Sequence, residues 1–175
     1  MQEKKKSSKI VLIANYFVIL QPETSTENMG RIMAIDYGIK RTGLAVTDEL
    51  QLIATALTTI ETPKLMLFID DYLRREKVEC FVVGEAKHLN NTPSESAQYI
   101  EPFVEKLQSK YPEIPIRRVD ERFTSKIAFQ AMIDGGLSRK QRQNKALIDS
   151  VSAVLILQSF MQSREIEQTR KKRTE

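Results

Sequence analysis

An α/β domain built on a mixed sheet is the fold class this sequence predicts, and three observations carry it. Three strand-like runs, 31–36, 42–47 and 54–60, follow one another with connections too short for a crossover, which implies an antiparallel meander. From residue 62 onward, apolar residues at helical spacing alternate with two further strand-like runs, 80–84 and 116–119. The third observation is size: 175 residues, 41% of them hydrophobic, suit one domain of roughly 100–200 residues and leave no room for a second.

The first 28 residues read differently from the rest. Lys4-Lys5-Lys6 ahead of the apolar stretch 10–20 resembles the charged and apolar regions of a secretory signal. That stretch is too short to cross a bilayer as a helix, and Gln21-Pro22-Glu23-Thr24 offers no small-residue cleavage pattern. Met29-Gly30-Arg31 directly precedes the first strand, so residues 1–28 are expected to be a disordered extension or a mis-assigned start, with the domain at 29–163. The competing expectation is an export or anchoring segment.

Within the domain, the turn Tyr37-Gly38-Ile39-Lys40-Arg41 joins the first two strands. Thr62 is expected to cap a helix with Pro63 at its first position, running to about Lys77 with Leu65, Phe68, Ile69, Tyr72 and Leu73 inward. The run 80–84 is apolar throughout, as a strand buried on both faces is. Past a polar loop at 87–93 comes a helix at about 94–110, in which Pro102 implies a kink or a later start. Thr124 begins a third helix that Gly135-Gly136 terminates. A last helix covers about 144–162 with Leu147, Val151, Val154, Leu155 and Gln158 as its stripe, and the polar tail 164–175 is expected to fray.

Acidic residues stand at the ends of these strands. Asp36 ends the first, Asp120 and Glu121 end the last, and Asp149 lies in the final helix. If those two strands are parallel neighbours, their C-terminal ends form the crevice where open α/β sheets place ligands. Converging carboxylates repel one another unless a cation joins them, and hard oxygen ligands favour Mg²⁺ or Mn²⁺. Two such ions about 4 Å apart can clamp the attacking and leaving oxygens of a phosphodiester. Each acid has a plainer reading. Asp36-Tyr37-Gly38 also suits a simple hairpin turn, Asp149 sits one residue off the apolar stripe, and strand alternation aims the adjacent Asp120 and Glu121 at opposite faces, so one of them is structural.

Net charge is only +4, with 27 Lys and Arg against 23 Asp and Glu, so clustering matters more than the total. Lys40 and Arg41, Arg122, and the stretch Arg139, Lys140, Arg142 and Lys145 flank the acids, and a basic rim around an acidic centre is what a nucleic-acid enzyme needs. Positive side chains in 138–145 would oppose the dipole of a helix starting there, which calls for an anionic partner such as a backbone phosphate. Ser138 with Gln141 could form a capping box. No alternating aromatic platform is visible, so recognition is expected to rest on shape and backbone. Cys80, the single cysteine, reads as a core residue, and His88, the single histidine, as an exposed loop residue.

Three meandering strands followed by alternating helices and strands is the plan of ribonuclease H-like folds, with helices on both faces of the sheet. The residues 36–45, Asp-Tyr-Gly-Ile-Lys-Arg-Thr-Gly-Leu-Ala, resemble the opening motif of the YqgF or RuvX family, a bacterial group related to Holliday junction resolvases. Asp120-Glu121-Arg122-Phe123-Thr124-Ser125 resembles the family's second signature, and Lys145 with 149–160 its C-terminal helix. The resemblance implies a metal-dependent nuclease trimming the 5′ end of pre-16S ribosomal RNA, with Asp36, Asp120, Glu121 and Asp149 as candidate catalytic and metal residues. Junction-cleaving DNA endonuclease and non-catalytic ribosome assembly factor are the alternatives. Structured RNA or branched DNA is then the expected partner of a cytoplasmic chain with no membrane association, monomeric or weakly dimeric. One departure stands out: Val83-Gly84-Glu85-Ala86 replaces the family's Val-Gly-x-Pro turn, and Glu85 is either a solvent-facing glutamate or a further ligand. An actin-like or sugar-kinase ATPase is excluded by length and by the lack of a second phosphate loop.

Overall fold

In the computed structural model, which describes residues 10–13, 16–19, 30–85, 97–120, 130, 132–136 and 138–174, β1 (Ile10–Ile13) and β2 (Tyr16–Ile19) pair antiparallel as a two-stranded sheet of their own. They share no ladder with the main sheet, whose strands are β3 (Arg31–Tyr37), β4 (Arg41–Thr47), β5 (Ala54–Glu61), β6 (Val78–Glu85) and β7 (Ile116–Asp120), in the order β5-β4-β3-β6-β7. The meander β3-β4-β5 is antiparallel and β6 and β7 add in parallel beside β3, the ribonuclease H-like arrangement expected.

Alternation along β3 divides the interior in two. Met33 and Ile35 face α1 (Leu65–Leu73) and α2 (Ala97–Lys110), packing with Leu65, Ile69, Phe81, Val83, Phe103 and Leu107. Ile32 and Ala34 face the other way, against Ala153, Ile156 and Leu157 of the last long helix, with Ala45, Cys80 and Val82 alongside. Helices therefore cover both faces. Ahead of the last helix is a single turn, α3 (Arg139–Arg142), and the long helix is α4 (Lys145–Thr174).

Four expectations change in detail. Thr62 does not cap α1, because residues 62–64 form a 3-10 turn and its hydroxyl is used elsewhere; α1 starts at Leu65 and stops at Leu73, short of Lys77. The basic run 139–142 is a separate turn, so the dipole conflict expected for one continuous helix reduces to Lys145, and Asn144 caps α4 by accepting from the Ala146 N–H at 3.1 Å. The buried stripe of α4 is Ser152, Ala153, Ile156 and Leu157, whereas Leu147, Val151, Val154 and Leu155 are half-buried and Gln158 is exposed. Small residues let the helix approach closely, and that fixes the phase. Finally, α4 continues through the tail, where no Gly or Pro interrupts 164–174 and Glu167 precedes Lys171 by one turn. Its span 145–171 is long and apolar enough by composition to cross a membrane, yet Ala153, Ile156 and Leu157 within it are packed into the sheet core. Of the third helix, 130 and 132–134 are helical, and Gly136 ends it at φ 75°.

Asp70 ties α1 to the end of α2 by accepting from Lys110 Nζ and from Tyr111 OH. Those two bonds hold its carboxyl below the usual carboxylate range, while burial, then Asp70, pushes the Tyr111 hydroxyl up. A depressed native carboxyl stabilises above the unfolded pKa, about 4, and loses that contribution as pH falls through the native value. Asp70→Asn should therefore flatten the acid side of the stability curve. Urea unfolding between pH 3 and 6 should show the parent losing stability more steeply than the variant; equal slopes would remove Asp70 from the acid response.

Candidate active site

The C-terminal ends of β3, β6 and β7 lie side by side, and three acids occupy them: Asp36, Glu85 and Asp120. They do not share a face. Asp36 has the parity of Ile32 and Ala34 and belongs to the α4 side. Its ladder partner is Gly43, and residues opposite one another in an antiparallel pair project from the same face. Glu85 pairs with Asp120 across β6 and β7, with the parity of Val83 and Ile116 on the α2 side. Arg118, also of that parity, makes a two-pronged pair with Glu101 of α2 at 2.9 Å for both contacts.

Gly43 is the reason Asp149 lies over the face that carries Asp36. A Cβ at position 43 would overlap the carbonyl oxygen of Asp149 and stand 3.3 Å from its Cα, so α4 rests its backbone directly on β4 where a side chain is missing. Hydroxyls fasten the same turn of helix. Thr59 of β5 donates to the Ala146 carbonyl at 2.8 Å, and because it has one hydrogen, Ser150 donates to Thr59 across 2.7 Å. Arg41 Nε donates to Asp149 Oδ2 at 3.1 Å, an ion pair between half-buried side chains that holds the carboxylate at the mouth of the site. Asp36 and Asp149 are thus gathered on one face, although 113 positions separate them in sequence.

The turn after Asp36 is buttressed as well. A Cβ on Gly38 would overlap the Arg41 carbonyl, so the reversal needs glycine there. Thr62 donates its hydroxyl to the Gly38 carbonyl, Thr42 donates to Thr62 at 3.0 Å, and the Thr62 N–H bonds the Lys40 carbonyl at 3.1 Å. The sequence did not mark the pairing of Thr59 with Ser150, and it marked Thr62 only as a helix cap; isolated hydroxyls in strands and helices carry no spacing that reveals a distant partner.

Lys40, Arg139, Lys140 and Lys145 are exposed and Arg142 is half-buried. Lys145 lies one turn before Asp149 on the same helix face, so this basic group shares the end of α4 that carries the acid. Glu121, Arg122 and His88 lie outside the described residues. Among the described residues no three His, Cys, Asp or Glu side chains come close enough to hold a metal ion. Cys80 is buried in the α4-side core, and burial raises its thiol pKa, which keeps it neutral as expected of a structural cysteine.

The family described as "RuvX: Holliday junction resolvase" matches residues 30–163. A protein of Christiangramia forsetii named "Putative pre-16S rRNA nuclease" is 56% identical over 133 residues, covering 76% of this chain and 98% of that protein. One of Phocaeicola vulgatus with the same name is 57% identical over 136 residues, covering 78% and 98%. Among solved structures, T. thermophilus RuvC in complex with Holliday junction substrate is similar at a TM-score of 0.46 and 20% identity, covering 73% of this chain and 91% of that one. With the family spanning most of its length and relatives sharing more than half of the aligned residues, this chain belongs to the RuvX family.

Proposed function

We infer that this chain is a nuclease that hydrolyses phosphodiester bonds with the help of Mg²⁺ or Mn²⁺, and that its substrate is the 5′ end of precursor 16S ribosomal RNA. The observation that carries the chemistry is the placement of Asp36 and Asp149 on one face, made possible by Gly43. The names of the relatives support the choice of RNA. Activity on a ribosomal precursor also favours the cytoplasm as the place of work. Activity is assigned to residues 29–163, outside which the family match does not extend.

The donor chemistry suits a hard divalent cation, since Asp36 and Asp149 offer carboxylate oxygens and the buried Cys80 offers no soft competitor. Asp120 has the parity of the α2-side Ile116, so the third carboxylate is assigned to its sequence neighbour Glu121. When bound, the cation supplies positive charge to the scissile phosphate and to the oxygens that attack and depart. The chain itself does the positioning. Arg41 orients the Asp149 carboxylate, Thr59 and Ser150 hold the helix, and Lys40, Arg122, Arg139, Lys140, Arg142 and Lys145 bind flanking phosphates. A second reading, cleavage of branched DNA, is favoured by the family's description. Purified chain with and without Mg²⁺ on matched precursor RNA and four-way junction DNA separates the two; cleavage of neither would leave a non-catalytic assembly factor.

Binding can be tested apart from chemistry. Replacing Arg139, Lys140 and Arg142 together by Gln should weaken RNA and junction binding alike and reduce the slope of log affinity against log salt by up to about 2–3, because phosphate contacts release counterions without reading sequence. Divalent-ion binding should persist. An unchanged slope would make this turn merely a solvated surface.

A further inference from the structure

A cleft of about 430 Å³ opens on the α2 side of the same sheet edge, lined among others by Tyr37, Ile39, Tyr99, Pro102, Phe103 and Lys106. It begins one residue from Asp36, since alternation sends Asp36 towards α4 and Tyr37 towards α2. Its floor is aromatic: Tyr37 and Phe103 stack with centroids 4.5 Å apart and planes at 19°. Its walls are apolar side chains that the fold leaves open, Tyr99 at 45% and Ile39 at 61% exposure, and Lys106 adds a cation. These residues come from β3, the following turn and α2, which is why no aromatic platform shows in the sequence.

Aromatic faces beside a phosphate-binding edge suit a base, because every base has a π-face and carries its own phosphates towards the cations. A paired base has both faces stacked and its edge occupied, so only an unpaired one can enter. We propose that this cleft takes an unpaired nucleobase next to the scissile phosphate that the basic rim positions near Asp36, so that the enzyme selects scissile bonds next to an unpaired nucleotide. The proposal rests on the nuclease reading above and adds the substrate feature that selects the cutting position.

The test uses the full chain in EDTA with two RNA oligonucleotides of matched length, one fully paired and one with two central unpaired nucleotides carrying 2-aminopurine. Tyr99→Ala should weaken binding of the unpaired RNA by roughly 5- to 150-fold, the range of one lost base stack. It should leave the paired RNA unaffected, and Tyr99→Phe should keep the parent's affinity. The parent should quench 2-aminopurine fluorescence and Tyr99→Ala should restore it. Equal affinity of parent and Tyr99→Ala for the unpaired RNA, or equal loss on both RNAs, overturns the cleft proposal. A parent that binds neither RNA and cleaves neither when Mg²⁺ is added overturns the nuclease reading too, whereas one that binds and cleaves while Tyr99→Ala matches it removes the cleft alone.

Discussion

Asp36→Asn is expected to abolish cleavage of precursor RNA while leaving the fold and RNA binding intact. Asn keeps the size and shape of the side chain and removes its charge, so the half-buried position in β3 and its pairing with Gly43 are undisturbed. What disappears is a carboxylate on the α4 face, and with it, in the proposed scheme, charge that would offset a divalent cation. Loss of residues that only support metal ligands typically costs about 10- to 100-fold, so loss of a ligand should cost at least about 100-fold. Single-turnover cleavage gives the rate, Mn²⁺ titration calorimetry the ion affinity, and thermal unfolding the stability. Rate and Mn²⁺ affinity should both fall, while the melting temperature stays close to the parent's. Unchanged turnover in a preparation free of contaminating nuclease would remove Asp36 from the site.

Strand runs were legible in this chain wherever burial on both faces made them continuous. Residues 80–83 are apolar because α1 and α2 cover one side and α4 the other, and Ile32 to Ile35 are buried for the same reason. The acids were legible because they interrupt those runs at the sheet edge. Contacts that depend on the absence of a side chain were not. The stripe of α4 was misphased because the positions nearest the sheet are Ser152 and Ala153, which score as less apolar than their half-buried neighbours Val151 and Val154. The placement of Asp120 on the α2 side needed the register of β7 against β6, which no local pattern supplies. Likewise the aromatic cleft joins Tyr37 to Tyr99 and Phe103 across more than 60 residues, beyond any periodicity.

The other large effect concerns a residue with no side chain. Gly43→Ala adds one methyl group where β4 meets Asp149, and the atoms it would strike are the helix backbone, which cannot rotate aside as a flexible side chain does. Two general effects of this substitution act in the opposite direction: alanine restricts the unfolded chain, worth about 0.4–1 kcal/mol where the native backbone accepts it, and glycine is a poor strand residue. Overpacking in a fitted core costs about 1–3 kcal/mol and occasionally more, and here it must move a helix that crosses β3, β4 and β5. Packing should win, with net destabilisation of about 1–3 kcal/mol in urea unfolding, a substantial part of the roughly 5–15 kcal/mol typical of a domain. Activity of the folded fraction should fall as well, because lifting α4 withdraws Asp149 from Asp36. Thr59→Val serves as the comparison, since it removes the hydroxyl contacts to Ala146 and Ser150 without adding bulk and should cost less in both measurements. A Gly43→Ala protein as stable and as active as the parent would mean that α4 is not seated on β4 at this glycine, and the placement of Asp36 and Asp149 on one face would lose its structural cause.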